Sequence, residues 1–517
     1  MAVKADIDFQ KDLFDAATRM RGSITPSDYK HYVLPLIFLR YVSLRFDKRR
    51  AQVEEMVNEP DNIWYSEDPE VRESILNDPD QYKSENVFMI PQEARWSYLV
   101  EKANDSNIKG ILDNAMKIIE QENPELEGIL PRIFQGSNLP VENVAGLIEV
   151  FSRDVFSARH EDSIDVLGRT YEYFIGNFAS SEGNRGGEFF TPSSIVKLLV
   201  AMMEPIEGTV FDPACGSGGM FIQSESYSDR GNALSFYGQE NVETTLRLGK
   251  MNVLLHGLNA EIRLGDSLLN DQYPDLKADY VIANPPFNVD TWGAERISKD
   301  DPRLIGPITN ANANYMWMQH FLYHLKEGGT AGYVMANGAM TTNTTGEKEV
   351  RQKLIDEGYI DCIVQLPDKL FFTTGIPCCL FFLSKNRDGS KGFRERRNEI
   401  LFIDARKMGS MVSRRQKALS REEIEKISKT YHEYRNSNGQ ILEEEGFAKI
   451  ATIEQVKEKD YKLTPGNYVG TAQIENDNMP FEERMEDLQN TLREQFIKSN
   501  NLQEKILKDL EGLYETR

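Results

Sequence analysis

Asn284-Pro285-Pro286-Phe287 closes the apolar run Asp279-Tyr280-Val281-Ile282-Ala283. With proline near 5% of average usage, Asn-Pro-Pro-aromatic arises by chance in well under about one in a hundred chains of this length. Two successive prolines fix the backbone, so the Asn284 side-chain oxygen and the Pro285 carbonyl are able to converge on one planar amino group. An exocyclic NH2 has two hydrogens to give. Accepting both draws the nitrogen from its conjugated planar state toward a pyramidal one, which frees a lone pair to attack a methyl donor. Phe287 then offers a ring to stack on a base, and a base in a duplex has first to be flipped out. The bland reading of these residues is a rigid Pro-Pro turn.

A second segment, Thr209-Val210-Phe211-Asp212-Pro213-Ala214-Cys215-Gly216-Ser217-Gly218-Gly219, reads as a strand, a glycine-rich turn and a helix start. Glycines let the backbone approach a ligand, and the helix N-terminus presents free N–H groups. It is not a full dinucleotide fingerprint, because Phe221 stands where the third glycine of GxGxxG belongs. Glu240 ends the next predicted strand, where an acid accepts the hydroxyls of a ribose, and Leu264-Gly265-Asp266 repeats the arrangement one strand later. Any one of these acids alone reads as a helix cap or loop residue. Asp212, Glu240 and Asp266 at the ends of three successive strands line one edge of a sheet, where ligands bind.

The elements that must position these residues follow from hydrophobic periodicity. Thr209–Phe211, Ser235–Tyr237, Glu261–Leu264, Tyr280–Ala283, Thr330–Met335 and Ile360–Leu366 read as strands. Gly219–Tyr227, Val242–His256, Ala313–Leu325 and Glu347–Glu357 read as helices between them. This alternation predicts an α/β fold with a doubly wound, mostly parallel sheet. Phe371–Ser384 and Glu399–Asp404 are expected to add strands, joined by a charged, solvated loop over Lys385–Asn398. The first third reads as helical. Thr25-Pro26-Ser27-Asp28 is a helix start, Pro35 predicts a kink, Asn58–Ser84 reads as loop, and helices resume over Ile108–Ile119 and Asn143–Phe156. After Ser420 the chain is charged and helical, and over 481–514 Met485, Leu488, Leu492, Leu502, Ile506 and Leu513 fall on a and d positions of a heptad. Such a helix either meets a partner or folds back on its own domain. The expected domains are 1–165 helical, 166–410 α/β and 411–517 helical.

With 517 residues, 40% hydrophobic and 27% charged, the chain is long enough for about three globular domains. The 60 Lys and Arg against 82 Asp and Glu leave a net charge of −22, which repels a polyphosphate; DNA contact then needs a local basic face or a partner subunit. The four cysteines, Cys215, Cys362, Cys378 and Cys379, are too sparse for a disulfide framework and fit a reduced cytoplasm. Met1–Gln10 does not read as a signal peptide, and no apolar run is long enough to span a bilayer. Of the six histidines only His320 and His324 stand at i, i+4, without the HExxH glutamate, so no metal site is expected. Cys378 after Pro377 imitates a cytosine-C5 methyltransferase nucleophile, but it sits in an apolar run with no base or cation to activate it, and it reads as a strand residue.

Taken together, these segments resemble an amino-methyltransferase that uses S-adenosylmethionine (AdoMet). Within that group the chain most resembles the modification (M) subunit of type I restriction-modification systems, an adenine-N6 DNA methyltransferase. The resemblance also rests on Gly187-Glu188-Phe189-Phe190-Thr191-Pro192 ahead of the first strand, and on Leu366-Pro367-Asp368-Lys369-Leu370-Phe371-Phe372 with Thr374-Gly375-Ile376-Pro377. The motif order resembles the γ arrangement. The resemblance implies a Rossmann-like AdoMet-dependent methyltransferase fold in which Glu188, Phe189, Phe190, Thr191, Pro192 and Ser193, with Ser217, Gly218 and Gly219, cradle the methionine end. Asp212 and Gly216 belong to the same cofactor segment, Glu240 would bind the ribose and Asp266 the cofactor's adenine amino group. Asn284, Pro285, Pro286 and Phe287 would hold the target base. It implies as partners double-stranded DNA, a specificity subunit met through the N- and C-terminal helical regions by two M chains, and a separate restriction subunit for translocation and cutting. Methylation of a release-factor glutamine, cytosine-N4 methylation and a non-catalytic DNA-binding or scaffold role stay open as alternatives.

Overall fold

The structure, a computed structural model, describes residues 2–22, 24–156, 163–181, 190–228, 233–371, 377–390, 392–413, 416–436, 443–470, 485 and 493. The N-terminal third is helical: α1 (Ala2–Arg19), α2 (Pro26–Asn58), α3 (Pro69–Leu76), α4 (Asp80–Lys83), α5 (Trp96–Glu101), α6 (Ile108–Glu122), α7 (Val141–Val150) and α8 (Ser163–Ser181). Thr25 caps α2 by accepting from the Asp28 backbone N–H, and the helix runs on through Pro35 without being broken. Val33, Leu34, Leu36, Ile37, Phe38 and Leu39 are all fully buried, and a helix apolar on every side becomes the centre of its bundle. The stretch 58–84, expected as loop, holds two short helices. Asp68 and Pro69, which read as loop residues, are the cap and first position of α3, and the Asp68 carboxylate accepts the Glu70 N–H at 2.8 Å.

The helical layer continues to Ser181 through α8. It shares its core with Leu248, Met251 and Leu255 on one helix of the α/β part, α11 (Glu243–Leu255). The Tyr171 hydroxyl donates to the Leu248 carbonyl at 3.2 Å. The helical part and α11 are therefore packed together.

Beyond α9 (Ser193–Met203) lies a nine-stranded sheet. In chain order its strands are β1 (Gly208–Asp212), β2 (Leu234–Glu240), β3 (Ala260–Leu264), β4 (Ala278–Ala283), β5 (Leu325–Ala336), β6 (Ile360–Gln365), β7 (Cys378–Ser384), β8 (Glu399–Asp404) and, after the two-residue strands β9 (Ser410–Met411) and β10 (Lys417–Ala418), β11 (Ala448–Thr452). The order is β11-β8-β6-β7-β5-β4-β1-β2-β3, with β7 antiparallel to β5 and β6, and β11 antiparallel to β8. Successive residues alternate between two cores: Val210, Ile282 and Val334 face α9, α10 (Gly219–Ser228) and α14 (Arg421–Arg435), whereas Phe211, Val281 and Tyr333 face α12 (Asn314–His324), α13 (Glu347–Asp356) and α15 (Ile453–Glu458). Helices on both faces of a mostly parallel sheet are the doubly wound arrangement expected from the sequence. β1 lies between β2 and β4, which places the switch of winding direction at the end of β1.

Two details differ from the sequence reading. Residues 411–469, expected to begin a helical region, supply α14 and the edge strand β11 to the sheet. Lys385–Asn398 is not a wholly solvated loop: Arg387 and Arg396 are almost fully buried. Arg396 meets Asp361 through two nitrogens at 2.9 and 3.0 Å, and Arg387 Nε lies 3.2 Å from the same carboxylate. Burial alone raises an acid's pKa, but these two guanidiniums hold Asp361 below the ordinary value. Residues 470–517 form a separate unit. The heptad helix expected over 481–514 lies outside the described residues apart from Met485 and Arg493. No helix among the described residues is long and apolar enough to cross a membrane.

Candidate active site

The carboxyl ends of β1, β2 and β4 converge where the winding switches. Asp212, at the end of β1, is 1% exposed, and its Oδ1 accepts the Ala214 N–H at 3.0 Å. The chain then turns through Gly216 (φ 52°) and Gly218 (φ 76°) into α10, a left-handed path that suits glycine. Glu240, at the end of β2, ties this turn down: one carboxylate oxygen accepts the Gly216 N–H at 3.1 Å and the other the Val242 N–H at 2.9 Å. Burial pushes the Asp212 carboxyl up to about 8, with the Glu240 charge adding to the shift, and burial raises Glu240 as well.

Three features that position this turn were missed by reading strands and motifs alone. Gly249 on α11 packs so closely that an added Cβ would sit 2.6 Å from the Gly216 carbonyl oxygen. Asn252, one helical turn on, donates to the Ser217 carbonyl at 2.8 Å, and the Ser267 hydroxyl donates to the Pro213 carbonyl at 2.6 Å. Asn252 stands three residues after Gly249 on one helix face, and that spacing was the available signal.

Phe190, Thr191, Asp212, Ala214, Gly216, Ser217, Gly219 and Asn284 line one pocket, so the structure brings the glycine-rich turn after β1 together with Asn284, the first residue of Asn-Pro-Pro-Phe. Pro192 and Ser193 lead directly into α9, whose Ile195, Leu198, Leu199 and Met202 are buried in the sheet core. Glu188 and Phe189 lie outside the described residues. Asp266 does not line the pocket; its Oδ1 caps a turn by accepting the Leu268 and Leu269 N–H groups at 3.0 and 3.1 Å.

Asn284, 7% exposed, follows β4, and its Nδ2 donates to Thr191 Oγ1 at 3.0 Å. Pro285 is buried and Pro286 half-buried. The Phe287 ring is half-buried and meets Phe371 edge-on, with centroids 5.9 Å apart at 83°. The chain after Phe287 is held by Asn314 on α12, whose side chain accepts the Asn288 N–H at 3.0 Å and donates to Asn288 Oδ1 at 2.8 Å. Of the Leu366–Phe372 and Thr374–Pro377 stretch, 372–376 lie outside the described residues.

The remaining candidates belong to the core. Cys378 is 1% exposed in β7, and burial pushes its thiol up to about 12, the opposite of an activated nucleophile. Asp271, His320 and His324 lie near one another, yet both His324 nitrogens are engaged, Nδ1 with the Leu276 carbonyl at 2.8 Å and Nε2 with Asp271 at 3.0 Å. The Arg303 guanidinium sits 3.2 Å from His320 Nδ1, and a resident cation repels a metal ion.

Comparison with known proteins places this geometry in context. Residues 162–477 match the family model described as N-6 DNA Methylase, and residues 9–151 match the HsdM N-terminal domain. The chain is 40% identical to the type I restriction enzyme MjaIX methylase subunit of Methanocaldococcus jannaschii, over 98% of this chain and 91% of that protein. It is 39% identical to the HindI methylase subunit of Haemophilus influenzae, over 82% of this chain and 99% of the relative. Among solved structures it is similar to a type I restriction-modification methyltransferase subunit from Streptococcus thermophilus, with 28% identity, a TM-score of 0.77, and coverage of 90% of this chain and 100% of the other.

Proposed function

This chain belongs to the methylase subunits of type I restriction enzymes, adenine-specific DNA methyltransferases, and from that premise we propose how its residues carry out methyl transfer to N6 of an adenine flipped out of duplex DNA. The observation that supports this reading is the single pocket shared by Asp212, Gly216, Ser217 and Asn284.

AdoMet fits the donor side of that pocket on chemical grounds. Its described lining residues include no basic side chain to repel a sulfonium cation, and the Gly216–Gly219 turn lets the backbone approach a ligand without a Cβ. When bound, AdoMet supplies an electrophilic methyl group. Phe190, Thr191, Pro192 and Ser193, with Ser217, Gly218 and Gly219, would hold its methionine end, and Asp212 closes the floor of the site. Glu240, already oriented by two backbone N–H groups, would accept the ribose hydroxyls on its remaining lone pairs, and Asp266 Oδ2 would accept from the adenine amino group. Glu188 and Phe189 join the set by resemblance.

On the acceptor side, Asn284 Oδ1 and the Pro285 carbonyl would each take a hydrogen from the target N6 amino group, while Pro286 stiffens the turn and Phe287 stacks on the base. The amino nitrogen loses conjugation and attacks the methyl carbon as the carbon–sulfur bond breaks, its electron pair staying on sulfur as the neutral thioether leaves, and the surplus proton on nitrogen then passes to water. No covalent enzyme intermediate is needed. Duplex DNA would be read by a specificity subunit joined to two copies of this chain through the N-terminal helical part and the heptad stretch 481–514, and cutting would fall to a restriction subunit. The free cysteines, all buried thiols, suit a reducing cytoplasm.

The test is Asn284→Ala in the complex with its specificity subunit. Turnover is expected to fall below detection while calorimetric AdoMet affinity stays within about threefold. Full methyl transfer by that variant overturns the assignment.

A further inference from the structure

Strands β4, β6 and β8 run in one direction: β4 is parallel to β5, β5 and β6 are both antiparallel to β7, and β6 is parallel to β8. Their carboxyl ends therefore share one edge of the sheet. Residues 284–287 leave that edge after β4, 366–371 after β6, and an arm over 405–419 after β8. The three touch in series. Phe371 meets Phe287 edge-on, the Lys417 N–H donates to the Lys369 carbonyl at 2.8 Å, and Gln416 Nε2 donates to the Leu370 carbonyl at 3.0 Å. The arm is thus braced on the same segment that braces Phe287.

The arm is a hairpin, β9 paired antiparallel with β10, and the Val412 N–H closes it on the Gln416 carbonyl at 2.9 Å. Leu419 is buried at its base, whereas the adjacent Met411 and Val412 are 49% and 61% exposed. Between Asp404 and Glu422 the sequence carries Arg406, Lys407, Arg414, Arg415, Lys417 and Arg421 and no acid, in a chain of net charge −22. Arg406 pairs with Asp404, Lys417 with Asp368 and Arg421 with Glu425, but these cations stay partly exposed, and such surface pairs are weak. Lys407 is exposed and has no ion pair among the described residues. A surface both basic and apolar matches a duplex from which one base has been withdrawn, which offers phosphates outside and bare base faces at the gap.

We propose that this arm is the surface by which the chain itself meets duplex DNA beside the target adenine, with Lys407 and the neighbouring cations toward phosphates and Met411 and Val412 against base faces exposed by flipping. The inference rests on the function proposed above and concerns the complex. Against a net charge of −22 one arm does not hold DNA alone, so it acts once a specificity subunit has placed the duplex.

The native thiols are all buried, so Val412→Cys adds an accessible one for disulfide cross-linking. In the complex with the specificity subunit, this variant would be offered duplexes carrying an activated disulfide tether either beside the target adenine or one helical turn away. Cross-linking is expected with the first tether and not with the second. Ile206→Cys, at an exposed position before β1 on the opposite edge of the sheet, should cross-link with neither. On unmodified duplex, Met411→Ser with Val412→Ser should slow single-turnover methyl transfer about tenfold. Lys407→Gln should lower the slope of log affinity against log salt by about one. The cross-link beside the target together with either loss supports the proposal. Absence of that cross-link, equal cross-linking at both tethers or from Ile206→Cys, or a cross-link with neither loss overturns it. If the native complex transfers no methyl group to adenine, the functional reading fails instead.

Discussion

Asp212 is a buried carboxyl group lining the pocket proposed to hold the methyl donor, and its cost has a definite pH signature. Burial, reinforced by Glu240, moves its pKa from 3.8 up to about 8. A carboxyl with a raised folded-state pKa stabilises the fold fully below its unfolded value, and the contribution is lost as pH climbs through the folded one. Between about pH 4 and 8 the loss approaches about 1.4 kcal/mol per pH unit. Asn at this position mimics the neutral acid, so Asp212→Asn should raise the melting temperature of the ligand-free protein, by more at pH 8 than at pH 5. A pH-independent difference in calorimetric scans would show that the carboxyl titrates normally. Phe287 has the opposite profile, half-buried and braced by Phe371. Phe287→Ala should raise the Michaelis constant for DNA several-fold through lost stacking, about 1 to 3 kcal/mol per base, and an unchanged constant would argue against a stacking role.

Elements were legible where apolar periodicity was strong and opaque where tertiary contacts overrode it. β4, β5 and β6 were readable as short apolar runs because helices cover both faces of the sheet there. β11 escaped because Lys449 and Thr452 face solvent on a short edge strand, which leaves little alternation to detect. The charged stretch containing Arg387 and Arg396 read as solvated because nothing local reveals that Asp361, on β6, awaits both guanidiniums. Asn284 and Asp212, singled out by their motifs, line one pocket, whereas Gly249 and Asn252 acquire meaning only once α11 lies against the Gly216 turn. Gly249→Ala should force that helix away from the turn, lowering stability by about 1 to 3 kcal/mol and weakening AdoMet binding. Gly136→Ala, where an added Cβ meets nothing within 4 Å, is the neutral control. Denaturant titrations with and without AdoMet check both. Asp361→Ala strands two buried guanidiniums and should cost about 3 to 5 kcal/mol, which the same titrations read.

At the scale of the whole molecule, the helical layer and α11 share one core, and α11 in turn packs on the Gly216 turn, so the N-terminal part is a structural neighbour of the pocket rather than an appendage. The net charge of −22 makes this chain a poor DNA binder by itself. In fluorescence titrations at about 0.15 M salt, the isolated chain should bind duplex DNA more weakly than about 10 μM, with tight binding restored by the specificity subunit. Tight, steeply salt-dependent binding by the chain alone would instead locate a basic face on it. The central claim, methylation of adenine N6 by the Asn284 site, is tested most directly by a base-resolution methylation map of the source organism's DNA in the wild type and in an Asn284→Ala strain. Loss of N6-methyladenine at one sequence motif is the predicted result. A map that keeps every N6-methyladenine, or that loses N4-methylcytosine in its place, would contradict it.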